Sequence, residues 1–287
     1  MKIAYFGDDF FKDCFDVIVR RGHVVAGVFV AGPSEYFKGL KGMAQRLGIK
    51  VHNRNIDHKW LSDFVRKNKV DCIICAGYCK KIEFDFNAVS SVNIHPSLLP
   101  VGRGADAAAW ISLLHQNAAG VTFHKISESL DEGDIIIQKR LNIDRLESWD
   151  MYMLKAKLTA KEMLTSLLDN FPHYYRKARR QGPGIEWPVL TASERVLSWV
   201  HSHEEIVTLI KGFGRWGVIA VISKRYFLVN NIEVSRFEHH LPVGEVITED
   251  KFAFYIATKE GVAIVRSQDI LREIHPDEAT KLGLPEF

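Results

Sequence analysis

The chain has 287 residues, 47% of them hydrophobic and 25% charged, with a formal net charge of +3. That composition describes a globular protein with room for one large domain or two modest ones, and excludes disordered and fibrous chains. The charge is too small to argue for nucleic acid by itself. No apolar run approaches the roughly 18 residues of a membrane helix, so the chain reads as cytoplasmic.

Residues 2–6 read as a strand and not as a signal peptide, and 8–20 as a helix with Phe11, Phe15, Ile18 and Val19 on one side. Residues 23–30 form a second strand, and 35–47 a second helix ended by Gly48. A short strand at 50–52, a helix at 58–67 and strands at 71–76 and 90–95 follow. This alternation predicts an α/β fold, Rossmann-like, with a mostly parallel sheet and helices on both faces. The first strand-to-helix turn, Phe6-Gly7-Asp8-Asp9-Phe10, has one glycine where the dinucleotide fingerprint needs three, and two acids where a phosphate would sit. NAD and FAD are therefore disfavoured, and no Gly-x-x-x-x-Gly-Lys-Ser/Thr loop supports an ATPase. Of the four cysteines, Cys72 and Cys75 are three apart on a strand and face opposite sides, so no metal site is expected.

Further on, 105–115 reads as a helix, 120–126 and 134–143 as strands, and 149–178 as one long helix. Its end, Arg176-Lys177-Ala178-Arg179-Arg180, reads as a solvated helix terminus whose cations suit the carbonyl end of the dipole. Gln181-Gly182-Pro183-Gly184 reads as a linker, dividing a domain at 1–180 from another at 185–287. The second part has a helix at 202–212 and short strands near 217–222, 225–229, 244–248, 252–257 and 262–266, which suggests a small barrel.

The chemistry concentrates in Val92-Asn93-Ile94-His95-Pro96-Ser97-Leu98-Leu99-Pro100 and in Gly120-Val121-Thr122-Phe123-His124 with Leu130-Asp131-Glu132-Gly133-Asp134. Asn93 and His95 leave the same face of a strand that Pro96 ends. An amide and an imidazole thus sit at a strand's carboxyl end, where open α/β sheets bind ligands. With the carboxylate of Asp131 they suit acyl chemistry, one group stabilising an oxyanion while others move protons.

These residues resemble the folate-dependent formyltransferase family, whose pattern is Asn-x-His-Pro-Ser-Leu-Leu-Pro, then Gly-Val-Thr-x-His, then Asp seven residues later. The likeness runs from the first strand to about residue 180. A weaker one, through Ile206, Leu209, Gly212, Trp216 and residues 242–247, points to the carboxyl-terminal barrel of methionyl-tRNA and amino-sugar formyltransferases. It implies an enzyme that moves a formyl group from N10-formyltetrahydrofolate, its co-substrate, to a primary amine. It makes Asn93, His95 and Asp131 the catalytic triad, with His95 open between proton acceptor and second oxyanion donor. It puts the folate slot along Gly77, Tyr78, Cys79, Lys80, Lys81 and Ile82 and the loop of Ser127 and Leu130. Ser97, Gly102, Arg103 and His124 fall on the acceptor side. The sequence departs from the family at Cys79-Lys80-Lys81, and again at Gly102 and Ala107, where relatives carry an aromatic residue and a proline.

The preferred acceptor is a small molecule, a nucleotide-linked amino sugar. Methionyl-tRNA, a hydroxylated amino acid and, least favoured, water in a formyltetrahydrofolate hydrolase are the alternatives. The hydrolase reading suffers because the first strand begins at residue 2, leaving no room for an amino-terminal regulatory domain. The tRNA reading suffers because residues 31–42 carry only Lys38 and Lys41 where tRNA-formylating relatives insert a basic loop. Small barrels also serve as dimer surfaces, so a homodimer stays open.

Overall fold

The computed structural model describes residues 1–285; residues 286 and 287, the end of the expected second domain, lie outside them. The chain forms two compact units. The first comprises residues 1–107, 117–142 and 153–187, and the second is built from residue 188 onward with 108–116 and 143–152.

The first unit is a seven-stranded sheet. Its strands are β1 (Lys2–Gly7), β2 (Val24–Phe29), β3 (Val51–His52), β4 (Cys72–Ala76), β5 (Ser90–His95), β7 (Gly120–His124) and β8 (Ile135–Arg140). A short β6 (Val101–Arg103) lies outside it. The order is β3-β2-β1-β4-β5-β7-β8; the first five run parallel, and β7 runs antiparallel to both of its neighbours, β5 and β8. The chain leaves β1 in one direction and β4 in the other, so the switch point lies between their carboxyl ends. Ile3, Ala4, Tyr5 and Phe6 are fully buried, as β-branched and aromatic residues covered on both faces should be. Phe6 stacks on Phe29 with ring centroids 4.3 Å apart.

Helices α1 (Lys12–Arg20), α2 (Lys38–Arg46), α3 (His58–Asn68) and, from residue 153, α5 (Trp149–Asp169) belong to this unit, whereas α4 (Ala107–Leu113), between β6 and β7 in the chain, belongs to the second unit from residue 108. The expected helix at 8–20 begins four residues late because the two acids before it are occupied. Asp8 accepts from Phe10 N at 2.9 Å, and Asp9 from Gly39 N at 2.8 Å and Leu40 N at 2.6 Å. Asp9 thereby supplies the cap that Phe37, at the N-cap of α2, cannot. The expected helix at 35–47 accordingly splits into a 3₁₀ turn, Ser34–Tyr36, and α2.

The long helix read at 149–178 is also two. Asn170 leaves helical geometry at φ −144° and ψ 49°, and α6 (Phe171–Arg176) follows with Pro172 in its first turn. Proline has no N–H for an interior helix bond, and its ring would strike the carbonyl four residues back. The basic cluster is therefore not one helix terminus: Arg179 pairs with Ile135 through backbone bonds of 2.8 and 2.9 Å.

Residues 181–184 are not a linker either. Gln181 Nε2 donates to the carbonyls of Asp131 and Gly133, and the chain continues into β9 (Ile185–Glu186), parallel to β6. The Gly-Pro-Gly signal marks a strap laid on the first unit, and the boundary falls at residue 188.

In the second unit, two four-stranded sheets share one core. One is β10 (Val196–Leu197), β11 (Val218–Ile222), β12 (Arg225–Val229) and β17 (Ile270–Ile274); the other is β13 (Glu233–Arg236), β16 (Gly261–Arg266), β15 (Ala253–Thr258) and β14 (Val246–Glu249). Leu197, Val218, Ala220, Phe227 and Val229 from the first meet Ile256, Ala263 and Val265 from the second. Strands β13 and β17, with mostly exposed residues, gave no alternating signal in the sequence. Helix α7 (His203–Phe213) packs on this core through Ile206 and Ile210, and Gly212 admits Leu113, which a Cβ there would meet at 2.2 Å.

The start of α7 is a capping box. Ser202 Oγ accepts from Glu205 N, and Glu205 Oε2 accepts from Ser202 N at 2.7 Å. Ser202→Ala is expected to cost about 1 kcal/mol. A lower urea midpoint measures this, and an unchanged midpoint would show that the box carries no stability.

Candidate active site

Parallel pairing of β5 with β4 sets Asn93 beside Cys75, and antiparallel pairing with β7 sets it opposite His124. Asn93, His95 and His124 therefore share one face at the carboxyl end of β5. Asn93 Nδ2 lies 3.0 Å from His124 Nε2 and 3.2 Å from Asp131 Oδ1. His124 Nδ1 faces the Lys125 carbonyl at 2.7 Å, so that nitrogen carries the hydrogen and Nε2 accepts from the amide. Both hydrogens of Asn93 Nδ2 are thus committed.

Asp131 reaches this cluster by a tight reversal. After β7 the chain runs toward the amino end of β5, where Ile126 N donates to Ser91 Oγ. It then doubles back so closely that a Cβ on Gly133 would lie 1.7 Å from Lys125 O. Asp131 stands at the bend with φ +54°, a left-handed conformation costing a non-glycine residue roughly 1–2 kcal/mol. Its Oδ2 accepts from Gly104 N at 3.0 Å and faces His95 Nδ1 at 3.5 Å. On the far side of the ring, His95 Nε2 donates to Gly102 O at 2.7 Å.

Burial lowers the His95 pKa below the usual imidazole value, and the charge of Asp131 and the Gly102 bond do not fully oppose it. Burial alone would raise Asp131. The charge of His95, the bond and charge of His124 and the Gly104 amide outweigh it and hold the carboxyl well below the usual carboxylate range. At neutral pH the pair is a carboxylate beside a neutral imidazole. As pH falls the ring charges first and then keeps its partner ionised.

The remaining expected residues divide. Ser97 is fully buried, and its hydroxyl donates to Val101 O and Gly102 O at 2.9 and 3.1 Å. It braces the strand end and does not reach toward an acceptor. His124, 2% exposed, likewise braces Asn93. Gly102 serves the site through its carbonyl, and its φ of +77° lets Trp187 lie against it, where a Cβ would meet the ring at 2.4 Å. Arg103 is paired with Glu132 at 2.7 Å and with Gln181 Oε1 at 3.1 Å. Gly104 and Gln181, neither of them a site candidate in the sequence reading, enter through backbone and amide bonds that no spacing rule exposes.

On the folate side, Tyr78, Ile82, Phe84, Phe86 and Ile126 are half-buried around one apolar cluster with Cys75 and Val89. Ile126, the residue before the expected loop of Ser127 and Leu130, joins this cluster while the loop itself does not, and Tyr78 meets Phe6 edge-on at 5.2 Å. Gly77, at φ +85°, closes against Asp8, whose Oδ1 a Cβ would meet at 2.3 Å. A flat ring with an apolar face fits these residues. Cys79, Lys81 and Leu130 are exposed, Lys80 Nζ is held by Asn55 Oδ1 at 2.8 Å, and Ser127 Oγ by Ser129 O at 2.9 Å. Among the described residues no group of three or more His, Cys, Asp or Glu is placed to hold a metal, and no helix is long and apolar enough to cross a membrane.

A formyl transferase family model matches residues 1–168. A methionyl-tRNA formyltransferase of Thermotoga maritima is 24% identical over 284 residues, covering 93% of this chain and 90% of that protein. HypX from Aquifex aeolicus, solved with tetrahydrofolic acid, superposes with a TM-score of 0.68 at 16% identity over 100% of this chain; the chain spans 48% of HypX. WlaRD, a sugar 3N-formyltransferase solved with dTDP and 5-N-formyl-THF, gives 0.64 at 17% identity over 95% of this chain and 98% of that one.

Asp8 generates a test of the electrostatics. Burial pushes its carboxyl up to about 7, with Asp9 adding to the rise, while the Phe10 and Phe11 amides and Lys157 oppose it. Between the unfolded value near 4 and the folded value the native state binds more protons, so Asp8 withdraws stability as pH rises through that window. His95 has the opposite sign: its folded pKa is depressed, and it withdraws stability as pH falls below the unfolded imidazole value. Asp8→Asn, which keeps an acceptor for Phe10 N, is expected to exceed the native chain in urea midpoint at pH 8 and to match it near pH 4. A lower midpoint at pH 8 would show that the carboxylate is satisfied where it lies.

Proposed function

The chain belongs to the formyl transferase family, and from that premise we propose that its acceptor is the primary amine of a nucleotide-linked amino sugar. It is a formyltransferase that uses N10-formyltetrahydrofolate as donor. The observation that carries the site assignment is the Asn93 amide bonded to Asp131, with the buried His95 ring behind that carboxylate.

The donor would supply an activated formyl carbon, with its ring against Gly77, Tyr78, Ile82 and Ile126. Asn93 is the oxyanion donor. Its bond to Asp131, longer than that to His124, is the one it gives up when a stronger negative charge develops nearby. His95 is the proton acceptor: Nε2 is committed to Gly102 O, and the neutral ring offers its Nδ1 lone pair toward Asp131. Asp131 relays the proton of the attacking amine to His95 as the tetrahedral adduct forms. The imidazolium returns it by the same path to the folate nitrogen as the bond from that nitrogen to the formyl carbon breaks. These roles favour proton acceptor over second oxyanion donor for His95.

The segment after β2 supports a small acceptor over initiator tRNA. Residues 31–42 form only a turn, a short 3₁₀ segment and the start of α2, tied down by Asp9. Lys38 and Lys41 are its only cations, too few to neutralise several phosphates. The WlaRD likeness accords with this reading, whereas the Thermotoga maritima relative keeps the tRNA reading as the alternative.

Asn93→Ala, His95→Ala and Asp131→Asn are each expected to lower turnover by about a hundredfold or more with folding retained. Native turnover in His95→Ala would overturn the mechanism. For the acceptor, formylation of amino-sugar nucleotides is compared with that of charged initiator tRNA at equal enzyme. Efficient, salt-sensitive formylation of tRNA with no sugar activity would overturn the substrate class.

A further inference from the structure

We infer that Gln181 is a positioning residue for the reaction, holding the left-handed bend that delivers Asp131. The inference rests on the site assignment above. It starts from the strap of residues 179–187, which ends at the unit boundary and touches both sides of the bend. Arg179 pairs with Ile135 behind the loop. Ile185 N donates to Pro100 O at 3.0 Å and Trp187 N to Arg103 O at 2.9 Å, anchoring the strap to the segment after β5.

Gln181 lies between these anchors. Its Nε2 donates to Asp131 O at 2.8 Å and to Gly133 O at 2.7 Å, while Oε1 accepts from Arg103 Nη2 at 3.1 Å. Two carbonyls on one side and a guanidinium on the other leave a single orientation of the amide. Arg103 continues the brace to Glu132, the residue between the two bonded carbonyls, at 2.7 Å. One amide thus pins both carbonyls flanking Glu132 and ties them to the chain segment whose Gly104 N–H holds the Asp131 carboxylate. No other side-chain hydrogen bond among the described residues reaches the carbonyls of Asp131 and Gly133.

The consequence is directional. A bend released by loss of these bonds moves the Asp131 carboxylate relative to His95 and Asn93, whereas the apolar cluster that would hold the folate ring contains no strap residue. Turnover should therefore fall while substrate binding persists. Because Asp131 raises the His95 pKa, its retreat should also lower the acidic apparent pKa of turnover.

Two variants test this. Gln181→Met removes donors and acceptor at similar volume, and Gln181→Glu keeps the acceptor for Arg103 while setting a carboxylate against two carbonyls. Both are expected to lower kcat by about 10- to 100-fold, as a displaced catalytic group does. Both KM values should stay within about twofold, and the acidic limb of the kcat profile should move to lower pH. Folded variants with native kcat and a native pH profile overturn the inference, as does a lowered melting temperature with both unchanged. If Gln181→Met fails to fold, Gln181→Glu decides by the same readouts. His95→Ala is measured in parallel: native turnover there would remove the site assignment itself, while an inactive His95→Ala beside native Gln181 variants would remove only the positioning role.

Discussion

A buried carboxylate organises the catalytic edge of this protein. Asp131 is 7% exposed, and an ionised group so placed survives only with partners that keep the charge compensated. Its donors are the Gly104 amide beyond β6 and the Asn93 amide on β5, with the imidazoles of His95 and His124 beside it to take up positive charge as pH falls. Each is also held by a further bond, His95 by Gly102 O and His124 by Lys125 O. The chain there is fixed because the charge requires it, and the charge is tolerated because the chain is fixed.

The antiparallel edge of the sheet is what makes this network possible. Had β7 run parallel to β5, the loop after it would have left from the same end as Asn93 and met the site directly. Instead it leaves toward Ser91 and must return, which produces the reversal at Gly133 and the left-handed Asp131. Strain at this residue is therefore a consequence of topology. The strap of residues 179–187, lying across both arms of the reversal, offsets it with backbone and amide bonds.

Much of the architecture could be read from the sequence where one physical rule acted locally. The period of two brought Asn93 and His95 to one face, and the alternation of apolar runs gave β1, β2, β4 and β5 their approximate bounds. Errors arose where a distant partner decided the outcome. Asp8 and Asp9 look like the start of a helix, but one binds Phe10 N and the other caps α2 some thirty residues away, so α1 starts late. Pro172 was visible, yet the periodicity around it outweighed the missing N–H, and the helix broke there all the same. Ser97 belongs to a motif that invites a functional reading, but its hydroxyl closes a local turn. Gln181-Gly182-Pro183-Gly184 has the composition of a linker because a strap pressed against Pro100 also needs small, turn-forming residues. Two residues of β9 pairing with β6 leave no periodic trace.

The charges around the site bear on what it can accept. Arg103 and Lys125, cations of the two segments that enclose Asp131, are each spent on a carboxylate, Glu132 and Asp134. Asp8 and Asp9 take up backbone amides at the sheet's switch point, where a phosphate would otherwise find donors. These pairings accord with the proposed small amine acceptor and leave little here for a polyanion to bind. An amine that arrives as its cation cannot attack, so the proposed transfer needs a base at the point of arrival. Burial keeps His95 unprotonated at neutral pH, and the charge of Asp131 raises its affinity for a proton, as the proposed role of base requires. On the proposed reading, recognition of the amine and its activation both depend on Asp131, and a nucleotide on the acceptor finds its contacts away from this edge.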